Sequence, residues 1–146
     1  MNKLIVENKK IEKICSFYVS DYHLEMVLIP YINEKLSKNE EIEIISEKDL
    51  RETVNALVSK MNINECNKKK ILELNWDKSK ETELKENIIV VGTKSYLEKI
   101  NNQIEEGKEK NIKVVNCFNF EEVKGDMGNI IKKYDKSLNT LGFNIW

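Results

Sequence analysis

The stretch NIIVVGTKSYLEKI, residues 87–100, decides the fold class of this chain. Asn87–Val91 is apolar at nearly every position and rich in β-branched side chains, which is typical of a strand buried on both faces. Gly92-Thr93-Lys94-Ser95 follows as a turn, after which Leu97, Ile100 and Ile104 recur at helical spacing. A doubly buried strand that leads directly into an amphipathic helix predicts a parallel sheet covered by helices.

The same order of elements recurs along the chain. Three further apolar runs, each followed by a helical pattern, are Lys13–Val19, Glu41–Ile45 and Ile112–Phe118. A chain of 146 residues has the usual size of one domain. We therefore predict a single α/β domain over residues 1–146, with a three-layer Rossmann-like or flavodoxin-like fold and a mostly parallel sheet of about four to five strands.

Three of the predicted helices have less regular signals. The first contains Pro30, so it either kinks there or begins there after a loose turn. The second is predicted to begin directly after Ser46, because Ser46-Glu47-Lys48-Asp49 has the Ser-x-x-acid spacing of a capping box. A long C-terminal helix that stops near Gly142 is predicted by apolar residues at helical spacing: Met127, Ile130, Ile131, Tyr134 and Leu138.

The segment Asn64–Glu86 is compatible with two structures. Its ILELNW stretch alternates through Leu72, Leu74 and Trp76, as a strand would. The residues NECNKKKILEL are instead rich in helix formers and follow Asn64, a suitable N-cap. We favour a short helix, with the strand as the alternative.

Composition excludes several classes of protein. With 24 basic and 25 acidic residues interspersed, the chain has no basic face, and Arg51 is the one arginine, so nucleic acid is a poor candidate partner. The longest apolar run is too short to span a membrane, and the N-terminus lacks the features of a signal peptide. We expect a cytoplasmic protein, and the Lys-, Asn- and Ile-rich composition suggests an A+T-rich, bacterial genome.

The cysteines give no sign of a disulfide framework or a metal site. Cys15, Cys66 and Cys117 lie about fifty residues apart with no CxxC or Cys/His pair. We expect reduced and mostly buried thiols, with Cys117 inside the apolar run VVNCF. No metal and no cofactor is predicted.

A ligand of an open α/β sheet binds outside the carboxyl ends of the strands. The only histidine of the chain, His23, lies there with Asp21, and this pair is the candidate for proton transfer. The candidate ligand-binding residues at the other strand ends, together with one beside the pair, are Ser20, Ser46, Thr93, Lys94, Ser95 and Asn119. Helix capping explains most of these residues without a ligand.

Common catalytic and nucleotide-binding motifs are absent from the sequence. GTKS at residues 92–95 has only the last glycine of a P-loop, no G-x-G-x-x-G follows a strand, and no G-x-S-x-G elbow is present. The acidic residues expected of a phosphorylated receiver domain are also missing, apart from Asp21. A helix N-terminus at Thr93 could still hold a single phosphate or carboxylate group.

Two tryptophans complete the candidate features. Trp76 lies in the ambiguous segment, and we expect it to pack on the core. Phe143, Ile145 and Trp146 form an apolar tail that could dock a protein partner or a second copy of the chain. The sequence therefore favours a binding, regulatory or assembly module without catalysis, and the alternative is an enzyme or phosphate-ligand binder that uses the strand-end crevice.

Overall fold

The computed structural model describes residues 10–77, 84–107 and 110–139, together with the backbone of residues 142–145. The strands are β1 (Ile11–Tyr18), β2 (Ile42–Ser46), β3 (Asn87–Val91), β4 (Ile112–Asn119), β5 (Lys136–Asn139) and β6 (Gly142–Ile145). The helices are α1 (Asp21–Ser37), α2 (Arg51–Val58), α3 (Glu65–Glu73), α4 (Lys94–Gly107), α5 (Phe120–Val123) and α6 (Met127–Ile131).

The strands form one sheet in the order β2-β3-β4-β1-β5-β6. Strands β1 to β5 are parallel, and β6 pairs antiparallel with β5 at one edge. The predicted α/β fold with a mostly parallel sheet is therefore confirmed. None of the helices in the described residues is long and apolar enough to cross a bilayer.

The helices cover both faces of the sheet, because strands β1 to β4 carry buried side chains on both sides. On one face, side chains of α1, α2 and α3 pack on alternate strand residues such as Ile44 and Ile89. On the other face, α4, α5 and α6 pack on the intervening residues such as Ile45 and Ile88. The result is three layers with a separate apolar core on each side of the sheet.

Helix α1 runs through Pro30 without ending, so neither a start at Pro30 nor a loose first turn is correct. Ser20 is its N-cap, since the backbone N–H of His23 donates to Ser20 Oγ at 3.1 Å. Proline has no N–H to donate to the carbonyl of Met26, one turn earlier. Packing of the buried stripe on α1, with Leu28, Ile29 and other members fully buried, compensates for this loss.

The capping box predicted at Ser46 is wrong. Ser46 is the last residue of β2, and its hydroxyl closes a turn by donating to the carbonyl of Lys48 and accepting from the Lys48 N–H. Helix α2 begins only at Arg51, whose N–H donates to Asp49 Oδ1 at 2.9 Å. The serine and the acidic residue therefore serve two separate turns, because local side-chain hydrogen bonds compete with a cap.

The long C-terminal helix is also wrong. Met127, Ile130 and Ile131 lie in the short helix α6, and the chain then leaves the helix and enters the sheet as β5, which contains Leu138. Gly142 begins β6 and ends no helix. The side chains of Phe143 and Ile145, and all of Trp146, lie outside the described residues, so the role predicted for the tail stays a prediction.

The first part of the ambiguous segment, Glu65–Glu73, is the helix α3, as favoured, and residues 78–83 lie outside the described residues. Asn64 caps α3 by accepting from the N–H of Asn67 at 2.8 Å. Trp76 follows the helix, is fully buried in the core, and donates from its indole Nε1 to the carbonyl of Ile71 at 2.7 Å. The prediction that Trp76 packs on the core is confirmed.

We predict that Asn64→Ala lowers the free energy of unfolding by about 1 kcal/mol, because the first turn of α3 loses its capping acceptor. Urea denaturation monitored by circular dichroism measures the change. Asn55→Ala is the matched control, since Asn55 is exposed in the interior of α2, where alanine is the better helix former. An equal loss in the two variants would contradict the capping role.

Candidate functional site

The carboxyl ends of four neighbouring strands surround a cavity of about 400 Å³. Adjacent strands leave the sheet toward opposite faces here, since β1 leads into α1 on one face and β4 leads into α5 on the other. Such a reversal opens a crevice in α/β sheets. The residues that line it are Tyr18, Glu47, Lys48, Gly92, Thr93, Asn119 and Glu122.

One cation sits at the mouth of this crevice. Lys48 Nζ donates to Asp21 Oδ1 at 2.5 Å and lies 5.0 Å from the centroid of the Tyr18 ring. Burial lowers the pKa of the Lys48 ammonium, but the hydrogen bond to Asp21 and the neighbouring Tyr18 more than offset this, so its pKa lies above the usual value. Lys48 is therefore a fixed positive charge at neutral pH and cannot act as a base.

The N-terminus of α4 is occupied by carboxylates of the protein itself. The N–H of Thr93 donates to Glu47 Oε1 at 2.8 Å, and the N–H of Lys94 donates to both carboxylate oxygens of Glu122 at 3.2 and 3.3 Å. Free amides at a helix N-terminus attract anions. A phosphate group at this position would have to displace both glutamates.

The histidine of the predicted pair is used in the helix cap. The N–H of Val19 donates to His23 Nδ1 at 3.1 Å, which places the hydrogen of the neutral imidazole on Nε2. Among the described residues, no hydroxyl, thiol or carboxylate is hydrogen-bonded to this imidazole. Asp21 instead pairs with Lys48, so the two candidate catalytic residues do not form a dyad in this arrangement.

The candidate ligand-binding residues are dispersed. Thr93 and Asn119 line the crevice, and each also caps a helix, since Thr93 Oγ1 accepts from Tyr96 and Asn119 Oδ1 accepts from Glu121. Lys94 Nζ binds Asp126 at 3.0 Å. Ser95 is exposed, while Ser20 and Ser46 bond to their own turns as described above.

Sequence reasoning did not single out the residues that fill the crevice. Glu47 and Lys48 were noted only as the middle residues of the predicted capping box, and Glu122 only as a charged residue. Their partners lie 27 to 46 residues away in the chain and so leave no local signal. A second cavity, between α4 and α6, was also missed. Its one sequence signal was Asn116, a polar residue within the apolar strand β4.

Comparisons with protein-family models, with curated proteins and with solved structures find no match to this chain.

Gly92 is required for the crevice, because a Cβ there would lie 2.6 Å from Tyr96 Cδ2 and 2.8 Å from Glu47 Oε1. We predict that Gly92→Ala lowers the free energy of unfolding by about 1–3 kcal/mol, as overpacking does, and shifts the Thr93 amide resonance. Urea denaturation and two-dimensional NMR measure the two effects. Gly128→Ala is the control, since a Cβ there meets nothing within 4 Å, and a similar loss in that variant would contradict the steric explanation.

Glu25, one turn after Asp21 on α1, is fully buried with Oε1 unpartnered. Its Oε2 contacts Thr53 Oγ1, which is also 3.1 Å from the carbonyl of Leu50. One threonine hydrogen cannot serve both acceptors, so a protonated Glu25 that donates to Thr53 satisfies the geometry. Burial raises the pKa of Glu25 above its usual value. A hydrogen bond from Thr53 to the ionised carboxylate would lower it, and the charges of Asp21 and Lys48 have opposing effects.

The pKa of Glu25 in the fold lies above that of the unfolded chain, so between the two values the folded state binds more protons. The free energy of unfolding therefore falls as pH rises through this window and stays low above it. We predict that Glu25→Gln raises stability by about 1 kcal/mol at pH 7.5 and much less at pH 4. Urea midpoints at both pH values test this, with exposed Glu34→Gln on α1 as control. A pH-independent difference would contradict it.

Proposed function

We propose that this protein is a non-catalytic α/β binding module of the cytoplasm that docks a protein partner on its strand-end surface. The strand-end surface consists of Val19, Tyr22, the Asp21–Lys48 pair and the residues that line the crevice. The observation that carries the proposal is the exposure of Val19 and Tyr22, which are 65% and 63% accessible to solvent. They are the exposed large hydrophobic residues of the described part of the chain.

Position supports a role for these two side chains in recognition. Val19 and Tyr22 stand on either side of the Ser20 cap, so they are held by the end of β1 and the first turn of α1. An aromatic side chain beside a polar rim is typical of protein–protein contacts. The rim offers paired charges of both signs, which suits a polar partner surface.

The absence of catalysis is supported by how the polar groups of the crevice are paired. Acid–base or nucleophilic chemistry requires a base in reach of a nucleophile or substrate proton. Here Asp21 neutralises Lys48, and His23 accepts a backbone N–H. The alternative, a phosphate ligand at Thr93 and Lys94, is less well supported because Glu47 and Glu122 already occupy those amides.

A second copy of the chain is another candidate partner. The backbone of β6 lies at the edge of the sheet, and an edge strand offers N–H and C=O groups to a further strand. If two copies of the chain associate, we therefore expect them to pair through the edge strand β6 in the C-terminal tail.

Photo-crosslinking tests the strand-end surface. With p-benzoylphenylalanine in place of Tyr22, we expect a discrete crosslinked product in cells of the source organism, and about fivefold less when Val19→Ser is added, because a hot-spot contact is lost. The same amino acid at Lys99, exposed on α4, is the control. The purified chain alone shows whether the partner is a second copy.

Equal products at positions 22 and 99, or a product insensitive to Val19→Ser, would refute docking on this surface.

A further inference from the structure

A second cavity, of about 300 Å³, lies on the face of the sheet opposite α1. Helices α4 and α6 form its sides, and β1 and β4 lie beneath it. Its lining residues that matter for recognition are Lys13, Glu98, Asn101, Phe118, Lys133 and Tyr134. The volume is at the lower end of the range found for small-molecule sites, about 300–1,000 Å³.

The floor of this cavity is aromatic. Phe118 stacks on Phe17 with ring centroids 5.6 Å apart and meets Tyr134 edge-on at 6.0 Å. Leu97 and Ile130 continue the apolar surface toward the two helices. A flat apolar group placed here would pack against ring faces and aliphatic side chains.

A buried hydrogen-bond network fixes one polar wall. Asn116 is fully buried in β4 and donates from Nδ2 to the Tyr134 hydroxyl at 3.0 Å, while Asn101 and Asn116 exchange hydrogen bonds at 2.8 and 3.1 Å. The phenol of Tyr134 therefore acts as acceptor toward the network, and its own hydrogen has no acceptor among the described residues. Burial raises the pKa of Tyr134, so this hydrogen is present at neutral pH.

The charge of the cavity is positive. Three lysines line it against one carboxylate, Glu98. Lys94 is neutralised by Asp126 at 3.0 Å, but Lys13 and Lys133 form no ion pair with a described carboxylate. Lys13 Nζ instead lies 5.5 Å from the centroid of the Tyr134 ring.

We propose that this cavity binds a small organic anion with a flat apolar or aromatic body and one carboxylate or phosphate group. The body lies against Phe118, and the anionic group meets Lys13, Lys133 and the Tyr134 hydroxyl. The volume excludes dinucleotides and other large cofactors. This site is separate from the strand-end surface, so it is independent of the partner proposed above.

NMR titration of the isotope-labelled chain tests the proposal. The probes are benzoate and phenyl phosphate. The controls are benzyl alcohol, which lacks the charge, and acetate and inorganic phosphate, which lack the aromatic body. We expect saturable shifts at Asn101 and Tyr134 with a Kd of about 1 mM for at least one aromatic anion. The preference between benzoate and phenyl phosphate identifies the anionic group.

Charge variants give effects of opposite sign. Lys133→Gln should weaken binding about fivefold, because one charge-assisted contact is lost at a partly exposed position, while Glu98→Gln should strengthen it by a similar factor. Lys132→Gln is the matched control, since Lys132 is exposed, adjacent in sequence and absent from the lining. All three changes are at the surface and leave the Asn116 network intact.

Four results would contradict the proposal or a part of it. No saturable shift for either aromatic anion at 20 mM, where a 1 mM site is about 95% occupied, would overturn the proposal. If benzyl alcohol binds as tightly as benzoate and phenyl phosphate, the anionic group plays no part in recognition. If acetate or phosphate binds equally tightly, the aromatic floor plays none. Equal effects of Lys132→Gln and Lys133→Gln would place the anion elsewhere.

Discussion

The pairing of β1 with β4 is the contact on which the rest of the structure depends. These strands lie about 100 residues apart in the chain, yet they pair in parallel along their full length, from Ile11 opposite Ile112 to Tyr18 opposite Asn119. The register sets both candidate sites, because it places Tyr18 and Asn119 together at the crevice and stacks Phe17 on Phe118 at the second cavity. A shift by one residue would exchange the two faces of the strand.

Local patterns were sufficient to predict most elements that feed this sheet. Helix α4 was predictable because an apolar run, a glycine and a helical stripe follow one another, although it begins at Lys94, within the predicted turn. Helix α3 was predictable because Asn64 caps a stretch of helix formers. The errors arose where local signals serve other partners. Ser46 bonds within a turn, and Leu138 shares a helical spacing with α6 although its backbone belongs to the sheet. Periodicity cannot distinguish these cases.

The contents of the candidate site were less predictable, for a physical reason. Sequence reasoning placed the candidate site at the carboxyl ends of the parallel strands, which meet at one edge, and the structure has a cavity there. The pairing of polar groups in the crevice depends on tertiary distances. The contact of Asp21 with Lys48, and that of Glu122 with the Lys94 amide, leave no local pattern in the sequence. His23 stood out as the only histidine. Its imidazole accepts a hydrogen bond from the N–H of Val19, four residues earlier in the chain, so its contact is purely local.

Asn116 connects the folding and the recognition arguments. A polar side chain in a strand buried on both faces costs free energy unless it is fully hydrogen-bonded. Asn101 on α4 and Tyr134 in the segment after α6 supply those bonds, so the network fixes how α4 and this segment sit on β4. Because the Tyr134 hydroxyl accepts a hydrogen bond from Asn116, the hydrogen of this hydroxyl points away from Asn116. The interaction that stabilises this face of the protein therefore also leaves a phenol donor for the anion proposed above.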